Sequence, residues 1–129
     1  MYRALNACGL VLFVYATVVQ INDPDPIRWM VVYGLTAVWC AWAIRWGVVP
    51  VKLTLPWAIL TASLVFPLLR FAPAESHLMP GFPQWGALRE ETVRESIGLA
   101  LCSLWSAGLA AHAARRAALG TAVEGPPVR

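Results

Sequence analysis

The chain has 129 residues, 59% of them hydrophobic and only 13% charged, and a formal net charge of +3 at pH 7. Soluble domains carry about 25% charged residues, so a fully water-facing surface is excluded, and so much apolar material excludes a disordered chain. With a mean hydropathy of +0.61, the composition is that of a small integral membrane protein of about four spans. Its excess of arginine is then a topology signal and not a nucleic-acid footprint.

Four apolar runs of about 18–22 residues follow, each long enough to cross roughly 30 Å of hydrocarbon as a helix. The first covers residues 4–21 and is broken only by Asn6 and Gln20. No A-x-A cleavage site follows it and further spans do, so it is expected to be retained and not cleaved as a signal peptide. A short loop, 22–27, contains Asn22-Asp23-Pro24-Asp25-Pro26. Two prolines in three residues end one helix, and Asp25-Pro26 reads as an N-cap followed by proline at the first helical position. The second run covers 28–49, with Trp29 and Trp46 near its ends as interface anchors. The third covers 53–71, with Trp57 as a further anchor, Pro56 near its first turn and Pro67 near its last. A longer loop, 72–95, carries Pro73, Pro80, Pro83, Phe82 and Trp85. The fourth run covers 96–114 and is expected to stop at Arg115 and Arg116, with a flexible tail at 120–129.

The predicted fold is an all-α integral membrane four-helix bundle, up-down-up-down, in one domain over residues 1–119. Four spans put both termini on one side, with Arg3, Arg45, Lys52, Arg115, Arg116 and Arg129 against the single acid Glu124. The opposite side carries Arg28, Arg70, Arg89 and Arg94 against Asp23, Asp25, Glu75, Glu90, Glu91 and Glu95. Six basic residues against four place the termini in the cytoplasm. Arginine supplies every basic residue except Lys52, the usage of a GC-rich bacterial genome, so the expected location is a bacterial inner membrane, multi-pass.

The outer loops concentrate the polar chemistry. Gln20, Asn22 and Asp23 sit where the first helix ends, and a tight hairpin fixes their oxygens. Asp25 belongs to the same hairpin, with helix capping as its simpler role. On a helix, Glu91, Arg94 and Glu95 lie at i, i+3 and i+4, on one face, as Trp29 and Tyr33 do at i and i+4. Charged groups on one stripe at the mouth of a bundle point inward or upward, not into lipid. Hard carboxylate and amide oxygens suit Ca²⁺ or Mg²⁺, with Asp23, Glu91 and Glu95 as candidate ligands. The competing reading is an interhelical network in which Arg28 and Arg94 neutralise those carboxylates. Acid–base catalysis by Glu91 and Glu95 would lack a neighbouring nucleophile.

These residues resemble a known family. Gln20-x-Asn22-Asp23-Pro24-Asp25, followed by Trp29 and Tyr33, resembles the first signature of the transmembrane protein 220 family. Glu91-x-x-Arg94-Glu95-x-x-Gly98-Leu99 resembles its second, at the start of the last helix. The matches span residues 20 to 99, and the length and hydropathy of the chain also fit. The resemblance implies a small multispan membrane protein and marks the same outer-face residues; it supplies no substrate. Arg28 and the proline-rich outer loop lie outside the matched pattern.

Other constellations are missing from the sequence. Cys8, Cys40 and Cys102 form no C-x-x-C, which a quinone-linked thiol oxidoreductase needs, and are expected as small buried apolar residues. His77 and His112 fall at different depths, unlike a bis-histidine haem pair; His112 is expected near the last carbonyls of its helix. No acid lies in the middle of a span, as proton-coupled exporters require. Gly98, Ala107, Gly108, Ala110 and Ala111 give the fourth helix a small-residue side for internal packing or docking. Trp39, Trp42 and Trp105 lie deeper, where an indole N–H needs a partner.

Three functions remain. The first is a non-enzymatic accessory or scaffold subunit of a larger membrane complex, embedded in the bilayer and bound to partner subunits. The second is an ion- or solute-binding protein using the outer-face residues. The third is a metal-dependent membrane enzyme using the same carboxylates. No cofactor is expected, a divalent cation at the outer-face carboxylates being the one exception to consider.

Overall fold

The computed structural model describes residues 1–22, 26–70 and 91–123, with side chains for 1–21, 26–65 and 95–120. They form four α-helices: α1 (Tyr2–Val19), α2 (Pro26–Trp46), α3 (Val51–Arg70) and α4 (Glu91–Val123). A single 3₁₀ turn, Gln20–Asn22, closes α1. No strand occurs among the described residues. Tyr2–Val19, Pro26–Trp46 and the Glu95–Gly120 part of α4 are long and apolar enough to cross a membrane. The described part of the third helix, Val51–Val65, is apolar but shorter.

The helix ends follow local chemistry. Pro26 is the first residue of α2, where its fixed φ suits a helix and its missing N–H costs nothing. Gly47 stops α2: its φ of +82° lies in the left-handed region and its N–H bonds the Ala43 carbonyl at 3.0 Å. The second helix therefore ends at Trp46 and not at residue 49. Pro50 then opens α3, its carbonyl accepting from the Leu53 and Thr54 N–H groups at 3.0 and 3.3 Å.

The fourth helix departs most from the expectation. Arg115 and Arg116 do not end it, and it continues to Val123, into the segment expected as a flexible tail. Charge ends an apolar span but not a helix, and the alanines around the arginine pair are the strongest helix formers available. His112 consequently lies eleven residues before the end of α4, about 16 Å from the last carbonyls that were expected to hold it. Its ring instead stacks on Tyr2 of α1, centroids 3.8 Å apart and planes at 15°.

The two most extensive packings are α3 on α4 and α1 on α2, with α2 also meeting α4. One core cluster joins Phe13, Trp29, Val32, Tyr33, Ala37, Cys40, Leu99 and Cys102; a second joins Ala43, Val49 and Leu109. Several buried hydroxyls are satisfied within their own helices. Thr36 Oγ1 donates to the Val32 carbonyl at 3.0 Å, and Thr61 Oγ1 to the Trp57 carbonyl at 2.9 Å. This is how Ser and Thr are accommodated where water cannot reach.

Three polar contacts tie helices together. Trp57 Nε1 donates to Thr36 Oγ1 at 3.2 Å, Ser103 Oγ to the Ala58 carbonyl at 2.9 Å, and Trp105 Nε1 to Asn6 Oδ1 at 3.3 Å. Interhelical bonds of this type average about 0.6 kcal/mol inside a bilayer, so they fix register more than they add stability.

Several expectations change here. Trp57 turns inward to Thr36 and is no interface anchor, whereas Trp46, at the end of α2, is 64% exposed. Cys8 is exposed, and only Cys40 and Cys102 are buried. The small residues of α4 divide: Ala110 is buried and Gly98 packs against α2, while Ala107, Gly108 and Ala111 face outward.

Candidate functional site

The α1–α2 hairpin and the start of α4 bring the two sequence signatures to one end of the bundle. Gln20 opens the 3₁₀ turn, and Asn22 closes it. Trp29 and Tyr33, one turn apart on α2, stack with ring centroids 6.1 Å apart and planes at 27°. Both are buried. Trp29 is only 1% exposed, so it is a core residue and not the interface anchor that its position near a span end suggested.

The second signature supplies the seat for the first. Gly98 faces Tyr33 so closely that a Cβ built on it would collide with the phenol oxygen and stand 2.8 Å from Cζ and 3.0 Å from Cε1. Only a residue without a side chain lets the Tyr33 ring lie against α4 at this height. Leu99, the next residue, is fully buried in the cluster that contains Trp29 and Tyr33. The pair Tyr33–Gly98 is thus a knob in a hole, of the small-residue type that lets membrane helices approach.

The charged members of the cluster are placed as follows. Glu95 is half-buried one turn before Leu99, and Ser96 is buried beside it. Glu91 and Arg94 belong to the same continuous helix as Glu95. The side chains of Asn22, Glu91 and Arg94 lie outside the described residues, as do Asp23 and Asp25 entirely. Arg28 lies with its guanidinium carbon 5.0 Å from the Trp29 ring centroid, a cation–π distance. Of the candidate metal ligands Asp23, Glu91 and Glu95, only Glu95 has a described side chain. No group of three or more His, Cys, Asp or Glu able to hold a metal occurs among the described residues.

One polar atom at this end stands out. Trp29 Nε1 is buried and has no hydrogen-bond partner among the described residues. An indole N–H in an apolar core ordinarily finds an acceptor, because leaving it unpaired costs about 1–3 kcal/mol.

A second polar arrangement, which hydropathy does not announce, lies at the end where α1 begins. Asn6, in sequence only an interruption of an apolar run, is 1% exposed. Its Nδ2 donates to the Tyr2 carbonyl at 2.9 Å while its Oδ1 accepts from Trp105. Gly9, one turn further along α1, leaves room for that indole: a Cβ there would collide with the Trp105 ring. The available signal was an asparagine followed three residues later by glycine on one face of a span.

Comparison with known proteins agrees with the signature end. No solved structure matches the chain. The family model described as "Transmembrane family 220, helix" matches residues 12–111, a stretch that includes both signatures and the Tyr33–Gly98 contact. Across more than three-quarters of its length, the chain belongs to transmembrane family 220.

Proposed function

We propose that this protein is a non-enzymatic accessory or scaffold subunit of a larger membrane complex, without a resident cofactor. In this reading it sits in a bacterial inner membrane as an up-down-up-down bundle with both termini in the cytoplasm. The short connections after α1 and α2 support that order, and the six-to-four basic asymmetry supports that orientation. The observation that carries the functional reading is the use to which the signature residues are put. Trp29, Tyr33, Gly98 and Leu99 are consumed in helix packing, so these four signature residues serve the shape of the bundle. A docking surface is available, since only 17% of the α1 span is buried, against 39% in α2 and in the span of α4.

Purification from the source membrane in mild detergent tests this directly. A scaffold subunit should migrate in a large particle with stoichiometric partner chains. Asp23→Asn or Glu91→Gln should weaken assembly or stability, with no saturable turnover to lose. A particle of one or two copies would overturn the reading.

The Trp29 N–H, without a hydrogen-bond partner among the described residues, favours one second reading, an ion- or solute-binding protein. There the indole would donate to an acceptor on a bound solute, with the carboxylates of Asp23, Glu91 and Glu95 completing the site. A divalent cation or solute should then raise Tm by mass action, and Glu91→Gln or Glu95→Gln should remove the response.

A further inference from the structure

At the end where α1 begins, α1 and α4 leave a groove of about 480 Å³ between them. Leu5 forms one wall and Leu101, Leu104 and Gly108 the other, with His112 and Arg115 at its far end. We propose that this groove binds one anionic phospholipid, its phosphate against Arg115 and an acyl chain along Leu104, Leu101 and Leu5.

Four observations support this occupant. The volume lies within the roughly 300–1,000 Å³ of small-molecule sites. The walls open sideways: Leu5 is 57% and Leu104 71% exposed, so the entrance is on the surface that meets lipid. Charge is one-sided, because Arg3 on the first turn of α1 and Arg116 next to Arg115 are both basic, and the stretches 1–21 and 96–120 contain no acid. Basic pockets between helix ends are the usual seats of anionic headgroups. Finally, Gly108 keeps the groove empty on the protein's own account, since nothing lies within 4 Å of a Cβ built on it.

A partner helix fits less well. It would bury Arg115 against apolar side chains unless it brought an acid to that depth. Free phosphate would leave the leucine walls unused. The site shares no residue with the signature end, although Leu5 belongs to the exposed α1 face that the accessory-subunit reading uses for docking.

The test uses the full chain in a neutral detergent, given phosphatidylglycerol or phosphatidylcholine with identical acyl chains. Native mass spectrometry reads bound lipid, and thermal unfolding reads stabilisation. One phosphatidylglycerol should remain bound under conditions that strip phosphatidylcholine, and only the former should raise Tm. Arg115→Gln should cut its occupancy about fivefold, the contribution of one arginine at an anionic surface. Gly108→Leu should abolish the adduct without lowering the lipid-free Tm, because the new side chain enters empty space. Equal retention of both lipids would overturn the proposal. So would an equal rise in Tm with inorganic phosphate, full occupancy in both variants, or a co-purified polypeptide in place of lipid.

Discussion

Replacing Gly98 by alanine tests whether the two signatures act through one contact. The new methyl would overlap the Tyr33 hydroxyl and stand 2.8 Å from its Cζ. Tyr33 is buried and stacked on Trp29, which is buried in turn, so the ring has no free direction in which to retreat. Overpacking of this kind costs about 1–3 kcal/mol. Alanine returns up to about 1 kcal/mol through its better helix propensity. The net expectation is a loss of roughly 1–2 kcal/mol, or about 4 °C in Tm for each kcal/mol in a chain of this size. The decisive step is a double-mutant cycle with Tyr33→Leu, which removes Oη, Cζ and Cε1 together. In that background Gly98→Ala should become neutral or slightly stabilising, a reversal of sign with a coupling of about 1–3 kcal/mol. The assay is reversible unfolding in mixed micelles followed by circular dichroism. If Gly98→Ala stabilised the wild-type chain, or cost as much in the Tyr33→Leu background as in the wild type, the knob-in-hole account would be wrong.

Three further outcomes follow from the same geometry. Asn6→Leu removes the acceptor of the Trp105 N–H and should destabilise by roughly 1–2 kcal/mol, with a shift in tryptophan emission that Asn6→Gln partly reverses. Gly47→Ala forces a side chain into a φ of +82° and should cost about 1 kcal/mol, measurable as a drop in Tm, while Gly47→Asn should cost less. Of the three thiols, only Cys8 is exposed, so a membrane-permeant maleimide should add one label to the folded protein and three after unfolding.

The all-helical class, the four helices of the described residues and the start of α2 were legible because they follow from hydropathy over windows of one span and from proline chemistry, both local. The end of α2 at Gly47 was equally available, since glycine before Pro50 is a stop signal, but the apolar Val48 and Val49 hid it in the hydropathy. The end of α4 was misread because arginine marks where lipid ends and not where a helix ends. At the candidate site, the spacing of Glu91, Arg94 and Glu95 was readable because it depends on one helix alone. The burial of Trp29 was not. A tryptophan near a span end is an anchor or a core residue according to which face meets a neighbour, and that depends on the crossing of α2 with α1 and α4. Gly98 was noticed as a small residue among several, yet only the position of Tyr33 distinguishes it from the outward-facing Gly108.

The contrast between these two glycines bears on how this bundle holds together. Lipid tails are as apolar as leucine, so burying leucine gives little net drive for helices to associate, and close approach and polar contacts must supply it. Each end of the molecule uses the same device with different residues. At one end Tyr33 enters the space left by Gly98; at the other Trp105 enters the space left by Gly9 and bonds Asn6. Both aromatic rings bridge α4 to the α1–α2 hairpin, a junction where backbones touch less than within the α1–α2 or α3–α4 pairs. The hairpins can therefore be regarded as two preformed units locked by two aromatic bolts. Loss of either bolt should loosen the junction while leaving each hairpin helical, so the Gly98 and Asn6 variants should keep their far-ultraviolet circular dichroism. Cys40 and Cys102, which lie in the cluster between the bolts, should then become reactive to maleimide before any helix melts. Simultaneous loss of helicity and thiol protection would mean instead that the four helices fold as one unit.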